Sequence, residues 1–398
     1  MAYIPPHKRH SEGTERPSPC PEQLAPQFNK NLKLRSSSSK VLKGGKIIYA
    51  DQAISRWCAI GLGDGDQFPP SVLLEPVSLD SIERKNGEKP LALFNTDIES
   101  DKVRGNFSTS PWLSIAENVL PDLVSSFENV RNEIDSQKLE VKTTLVARFG
   151  KILFHVSPSV DYESIRKSVV ADTTLRQLKR SFYTNIPTSY MDYMVKEVVP
   201  EIGLDFAEEK DIYHVKLFDS TKPDSTISCK CIVRKEHGSL QFYKVELNQV
   251  RHMVMDVSCL EKNLDLRLML CTKSIITVLS DDELQSIRDL INSAVLDTSV
   301  KGGLRWPLGK ASVGKYTVVG VWHTIAKSYK NPSVRLKLRH ADRFDFRTSI
   351  GETSKEINLK LKGVASKLHE QQGDISEMIK DDLRMIWNNL LCCERYLT

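Results

Sequence analysis

Apolar and polar residues alternate with period two across residues 334–350. Val334, Leu336, Leu338, Phe344, Phe346 and Ile350 fall on one side, and Arg335, Lys337, Arg339, Arg343 and Arg347 on the other. This is the pattern of a half-buried strand. At about 3.3 Å per residue such a strand is long, so a bend or bulge is expected at 340–342, where Asp342 interrupts the apolar side. After a turn at Gly351, Ile357, Leu359 and Leu361 alternate with Asn358, Lys360 and Lys362. The two runs together predict a hairpin with one apolar and one cationic face.

The same reading extends along the chain. Short strands are predicted at 47–49, 72–77 and 91–94, with a further element at 54–60. Ser110-Pro111 opens a helix, with Ser110 as N-cap and Pro111 at the first helical position. Trp112, Ile115, Val119, Leu123 and Phe127 share one face of it, and Pro121 is a possible kink. Gly150-Lys151, between apolar runs at 141–149 and 152–156, reads as a two-residue hairpin turn. Helices are expected at 162–170, 173–182 and 189–199. From residue 211 the period changes to two, and strands at 212–218, 228–234, 240–247, 252–259 and 264–271 read as an antiparallel meander. Ser280-Asp281-Asp282-Glu283 is a capping box for a helix through residue 296. The strand at 315–327 is apolar on both faces and is expected to be central, and 374–391 is an amphipathic helix. These elements give an α+β protein: a large, mostly antiparallel sheet or partly closed barrel covered by helices, with a disordered basic N-terminal arm.

Charge divides the chain. Residues 1–46 hold nine Lys or Arg against three Glu, and residues 313–362 hold eleven basic residues against four acidic. With a formal net charge of +5 overall, the other folded segments must be acidic. One basic region is a Pro- and Ser-rich arm, residues 1–45, and the other is the structured hairpin. The remainder is expected to divide into an α+β subdomain, 46–138, and a β-rich domain, 139–398. No apolar run approaches the roughly 18–20 residues that span a bilayer, and the first ten residues lack the apolar core of a signal peptide. The expectation is an intracellular protein, in cytoplasm or nucleus, whose eight cysteines are reduced.

Candidate chemistry is sparse. Residues 309–315 match the start of a phosphate-binding loop, but Tyr316 stands where a Ser or Thr is needed, and the following segment reads as strand rather than helix. Cys229 and Cys231 lie on one face of a strand and lack the spacing of zinc ligands. No nucleophile elbow, paired catalytic carboxylate motif or metal-binding His pair is present, so no catalytic residue, metal or cofactor is assigned. The unusual feature is the row of Arg335, Lys337, Arg339, Arg343, Arg347, Lys360 and Lys362, which Lys230 and Arg234 could extend. A phosphate-rich ligand, RNA included, would satisfy it. A solvated outer face is the leading explanation of such a row. A triphosphate-binding β-tunnel would also use inward basic residues, but needs clustered carboxylates, normally as Glu-x-Glu, and no such pair lies on a suitable strand.

The opening Tyr3-Ile4-Pro5-Pro6-His7-Lys8-Arg9 resembles an element in the N-terminal arms of Ded1-type DEAD-box RNA helicases. It is a stiff polyproline segment with an aromatic before it and cations after, suited to docking in a groove. No Asp-Glu-Ala-Asp box follows. Taken whole, with its Met1-to-His10 opening and Asp345-Phe346-Arg347-Thr348-Ser349, the chain resembles a plant family of uncharacterised proteins carrying a domain of unknown function. That resemblance implies no activity. The expectation is a non-enzymatic RNA-associated or polyanion-binding protein. The alternatives are a protein-interaction scaffold using the arm or terminal helix, and a phosphohydrolase using the basic β-face.

Overall fold

The computed structural model describes residues 48–60, 68–80, 82–83, 87–96, 110–135, 140–155, 172–222, 226–234, 238–370, 374–391 and 397. The arm residues Tyr3 to Arg9, the expected helix at 162–170 and Cys392-Cys393 lie outside them. In chain order the N-terminal elements are β1 (Ile48–Ile60), β2 (Val72–Pro76), β3 (Leu91–Asn95), α1 (Pro111–Asp135) and β4 (Glu140–His155). Then come α2 (Asp172–Gln177), β5 (Lys179–Tyr183) and α3 (Thr188–Tyr193), the last running on through a π turn to Glu201. The strands β6 (Asp205–Asp219), β7 (Thr226–Val233), β8 (Leu240–Leu247), β9 (Val250–Cys259) and β10 (Asp265–Ile275) precede α4 (Asp281–Asn292). Two short strands, β11 (Val295–Leu296) and β12 (Leu304–Arg305), pair with each other, and β13 (Ser312–Val313) pairs with β14 (Tyr316–Lys330). The chain ends with β15 (Val334–Asp345), β16 (Ile350–Leu361), α5 (Lys362–Glu370) and α6 (Ser376–Met385), which continues as a π turn through Leu390.

Eight antiparallel strands close on themselves in the order β6, β14, β15, β16, β4, β10, β8, β7 and back to β6. Two joins are thin. β16 meets β4 over Asn358, Leu359 and Lys360, and β10 meets β8 through Ile275 and Glu246, beside the Ile276 N–H bond of 3.1 Å to Val245 O. β1 and β9 extend the sheet from β10, and β2, β3 and β5 extend it from β4.

The apolar cores lie outside this ring. One packs α1, α3, α5 and α6 over the outer faces of β4, β10, β15 and β16, with Leu145, Phe149, Leu268, Leu336, Leu359 and Leu383 fully or almost fully buried. The other places Ile287, Leu290 and Ile291 of α4 on Val215, Cys229, Val321 and Phe344. Each such side chain contributes roughly 1.5–3 kcal/mol by leaving water. Ser280 caps α4 in the expected box, accepting from Glu283 N–H at 3.3 Å while Glu283 accepts from Ser280 N–H at 3.1 Å. Because period two sends alternate residues to opposite faces, both cores force the polar partners on every ring strand inward.

Several expectations change. Glu140–His155 is one strand, not a hairpin: a Cβ at Gly150 would lie 2.0 Å from Tyr183 O, so glycine here permits a close strand crossing, not a turn. The two expected elements at 47–49 and 54–60 merge, among the described residues, into the single irregular strand Ile48–Ile60. Within 173–182 the helix stops at Gln177 and β5 begins at Lys179. The meander breaks after β8, since β9 pairs with β10 and β1. β15 pairs with β16 from Val334 to Asp345 without a register shift, so no bulge marks 340–342. There His340 and Asp342, with His323, line a recess of about 790 Å³ between the two apolar cores. The polar interruption marks the wall of this recess, not a bend.

Candidate functional site in the lumen of the strand ring

The cationic side of β15 faces the inside of the ring. Arg335, Lys337, Arg339 and Arg343 lie opposite Lys360, Asn358, Glu356 and Glu352 of β16, while Leu336, Leu338, Leu359 and Leu361 point into the outer core. The solvated outer face is thereby excluded. Alternation on the neighbouring strands adds Arg148 of β4, His214 and Lys216 of β6, Lys230 of β7, Lys244 and Glu246 of β8, Lys273 of β10 and Trp322 of β14. Of the other basic residues singled out in the sequence, Arg347 sits in the turn after β15, bonded to Asp345 at 3.2 Å. Lys362 begins α5 and donates to Asn331 O at 2.8 Å. Arg234 bonds Gln241 at 2.8 Å on the exposed side.

The lysines converge from across the ring. Lys230 is near enough to Lys216, Lys273, Lys337 and Lys360, on four other strands, to depress each of them. Burial, then the repulsion of Lys273 and Lys230 set against Glu246, brings Lys216 down to about 8. Burial does the same to Lys273, which Glu246 only partly offsets against Lys230, Lys360 and Arg339. Burial and then Arg339, Lys360 and Lys230 bring Lys337 to about 8. Burial followed by Arg335 and Lys230 lowers Lys360. His214 is held well below its ordinary value by burial and then by Lys216 and Lys230. The Lys273 side chain is nonetheless 38% accessible, so water enters the ring. These are charges lining a wet but confined channel, where a low-dielectric wall focuses their field.

Glu246, Glu208 and Glu356 sit among them, each tied to cations. Glu246 meets Lys244 at 2.7 Å, Lys230 at 3.0 Å and Lys273 at 4.0 Å. Burial works against its ionisation, but those neighbours hold it down to about 2. Glu208 pairs with Arg335, and with Lys210 at 2.9 Å. Glu356, 1% exposed, pairs with Arg339 and Arg343 and accepts from Ser354 Oγ at 3.0 Å. Burial opposes its charge too, yet Arg339, Arg343 and Arg148 hold it far below the usual carboxylate range. Among the described residues no ion pair reaches Lys216, Lys337 or Lys360, and no three His, Cys, Asp or Glu gather as a metal would require.

Trp322 is the lumen's aromatic surface, with Lys216 Nζ 4.4 Å and Arg343 Cζ 5.2 Å from its ring centroid. The outer recess, by contrast, has one lysine, Lys355, beside His323 and His340, and no concentration of charge. We therefore place the candidate site in the lumen. Sequence reading finds the β15–β16 cations and Lys230. It misses Arg148, Lys216, Lys244, Lys273 and Trp322, although Arg148 and Lys216 each stand between two buried apolar residues, because only ring closure brings their strands opposite one another.

Residues 41–390 match the family described as "Domain of unknown function (DUF7903)", and the chain belongs to that family. No curated protein sequence matches it. Among solved structures, the chain is similar to the S. pombe Pct1 RNA triphosphatase, at 10% identity and a TM-score of 0.41, over 73% of this chain and 96% of that one. It is also similar to the mimivirus capping enzyme triphosphatase, at 9% identity and a TM-score of 0.31, over 68% and 97% of the two chains. The PH1012 protein of Pyrococcus horikoshii matches at 10% identity and a TM-score of 0.25, over 54% and 91%. At these values the likenesses say nothing of activity or ligand.

Proposed function

We propose that this protein binds a phosphorylated polyanion, such as the phosphate-bearing end of an RNA, inside the strand ring, and that binding is its function there. One observation carries this reading: Lys216, Lys230, Lys273, Lys337 and Lys360 converge from five strands, with Glu246 as the carboxylate nearest them. Like charges held together in this way call for a counter-charge, and an oxyanion with several negative oxygens supplies it. Lysine suits this role, being a compact point charge on a flexible stem that can follow an irregular phosphate chain. Glu208, Glu246 and Glu356 are each neutralised by adjacent cations, which favours binding over metal-assisted hydrolysis.

The test is fluorescence anisotropy of a short single-stranded RNA carrying either a 5′-triphosphate or a 5′-hydroxyl, at low and physiological salt. The full chain, Lys216→Gln/Lys337→Gln and the arm variant Tyr3→Ala/Arg9→Ala are compared. Preference for the triphosphate end, lost in the lysine variant and kept in the arm variant, is the expected result. Binding lost only in the arm variant would move the site to residues 1–45, and phosphate release by the full chain would make the protein a phosphohydrolase.

A further inference from the structure

We propose that Glu356 is a resident anion occupying a second oxyanion subsite, formed by Arg148, Arg339, Arg343 and Ser354, and that it excludes a ligand phosphoryl group from that part of the lumen. The inference deepens the lumenal binding reading and rests on it. It concerns which part of a ligand the ring admits.

The geometry begins with a mismatch of donors. Arg339 binds one carboxylate oxygen of Glu356, and Arg343 binds the other, which also accepts from Ser354 Oγ at 3.0 Å. Arg148 of β4 lies opposite Asn358 of β16; burial first, and then Arg339 and Arg343, lower its guanidinium to about 10, while Glu356 is close enough to oppose them. Three guanidinium groups thus share one carboxylate. The shortage is visible atom by atom: Nε of Arg148, Arg339 and Arg343 is in each case buried with no hydrogen-bond partner. A buried donor left unpaired costs free energy, and the planar two-toothed edge of arginine fits two oxygens of one anion. A phosphoryl or sulfuryl group offers three or four oxygens where Glu356 offers two. The cluster is built for a larger anion than the one it holds.

Its position gives this a consequence. Arg339 lies two residues from Lys337 on the same face of β15 and depresses Lys337, Lys273 and His214, so the arginine and lysine groups adjoin. A phosphate chain seated on the lysines would have its next phosphoryl group at Arg339. In the native protein Glu356 already fills that place and repels it. Glu356 therefore limits how far a multiply charged ligand can extend, and its carboxylate charge is the limiting element.

The experiment titrates inorganic sulfate into the full-length native protein, Glu356→Gln, and Glu356→Gln/Arg343→Gln, read by calorimetry and by melting temperature against chloride at equal ionic strength. Glu356→Gln is expected to bind sulfate roughly 10- to 100-fold more tightly than the native chain, the range for regaining one or two charge-assisted hydrogen bonds. The double variant is expected to lose most of that gain. If Glu356→Gln unfolds at low ionic strength, sulfate should restore its melting transition where chloride does not. Sulfate affinity no higher than native, or equal rescue by both salts, would overturn the inference. The two readings fail separately. If the native chain ignores triphosphate RNA but Glu356→Gln gains sulfate, the lumenal function falls and the subsite stands; the reverse pair of results removes the subsite alone.

Discussion

Lys216 and Trp322 meet inside the ring, with the ammonium 4.4 Å from the centroid of the indole. Their strands, β6 and β14, pair so that Trp322 faces His214 and Gly320 faces Lys216. Gly320 leaves room beside Phe344 O, which a Cβ there would approach to 3.2 Å. The indole is a neutral support for two cations, since Arg343 lies 5.2 Å from the same ring, and such contacts contribute about 0.5–2 kcal/mol each. An anion that draws Lys216 and Arg343 toward itself must loosen both. Titration with a polyanion should therefore change the tryptophan emission of the native protein, and Trp322→Phe should abolish most of that change. A full signal in Trp322→Phe would mean that the anion binds elsewhere.

The lumenal lysines set a pH window. Lys216, Lys273 and Lys337 titrate near 8, against about 10.4 for a free lysine. As pH rises from 7 to 9 these ammonium groups lose their protons and the ring loses positive charge. Polyanion affinity should fall over that interval, two units below where surface lysines would lose it. Stability without ligand moves the opposite way. A folded pKa depressed below the unfolded one means that the unfolded chain holds more protons between about 8 and 10.4, so this contribution to stability is full above that window and lost as pH falls through 8. Melting temperatures and anisotropy titrations at pH 7, 8 and 9 check both slopes. Affinity constant to pH 9 would show that these lysines do not hold the ligand.

Lys151 and Asp265 form a second paired charge, buried at 4% and 2% side-chain exposure and 3.4 Å apart. Asp265 also accepts from Ile152 N–H at 2.8 Å and Cys259 N–H at 3.1 Å, tying β4, β9 and β10 together. Burial pushes the Asp265 carboxyl upward against the pull of Lys151 and those two donors. Removing one partner strands the other, at about 3–5 kcal/mol. Lys151→Met should lower the urea midpoint accordingly, while Lys151→Met/Asp265→Asn should recover part of the loss. Equal losses in the two variants would show that the charge pair is not what matters.

Gly150 shows where sequence reading stopped. Beside a lysine and between apolar runs it looks like a turn, and the local pattern contains nothing to say otherwise. Its role depends on Tyr183, 33 positions away in sequence, whose carbonyl crosses where a Cβ would be. Gly150→Ala should separate β4 from β5, opening the Lys151–Tyr183 to His155–Lys179 pairing and speeding amide exchange in β5 before the rest of the sheet. What was legible obeyed local rules: the capping box of Ser280, the strand periods, and the alternation of Arg335 to Arg343 with Leu336 and Leu338. That the cationic side was interior was not legible, since it follows from β10 and β8 meeting at Ile275 and Glu246. His340 and Asp342 misled for a related reason, because a break in an apolar face can mean a kink or the wall of a polar recess.

Asp382 of α6 is a buried acid outside the ring, 8% exposed, with Oδ2 unpartnered among the described residues. Burial, and then the charge of Asp381, raises its carboxyl to about 7. The folded state therefore favours the protonated acid. Its contribution to stability is fully present below the unfolded value of about 3.9 and is lost as pH rises through 7. Above that pH the helix carries a charge it cannot solvate where α6 packs on α1. Asp382→Asn keeps the shape and removes the charge, so it should stabilise the protein at pH 8 by about 1–3 kcal/mol and leave it unchanged or slightly weaker at pH 5. Chemical denaturation at the two pH values measures this. A variant that gains the same stability at both would place the benefit in helix propensity or packing and remove Asp382 as the source of the pH dependence.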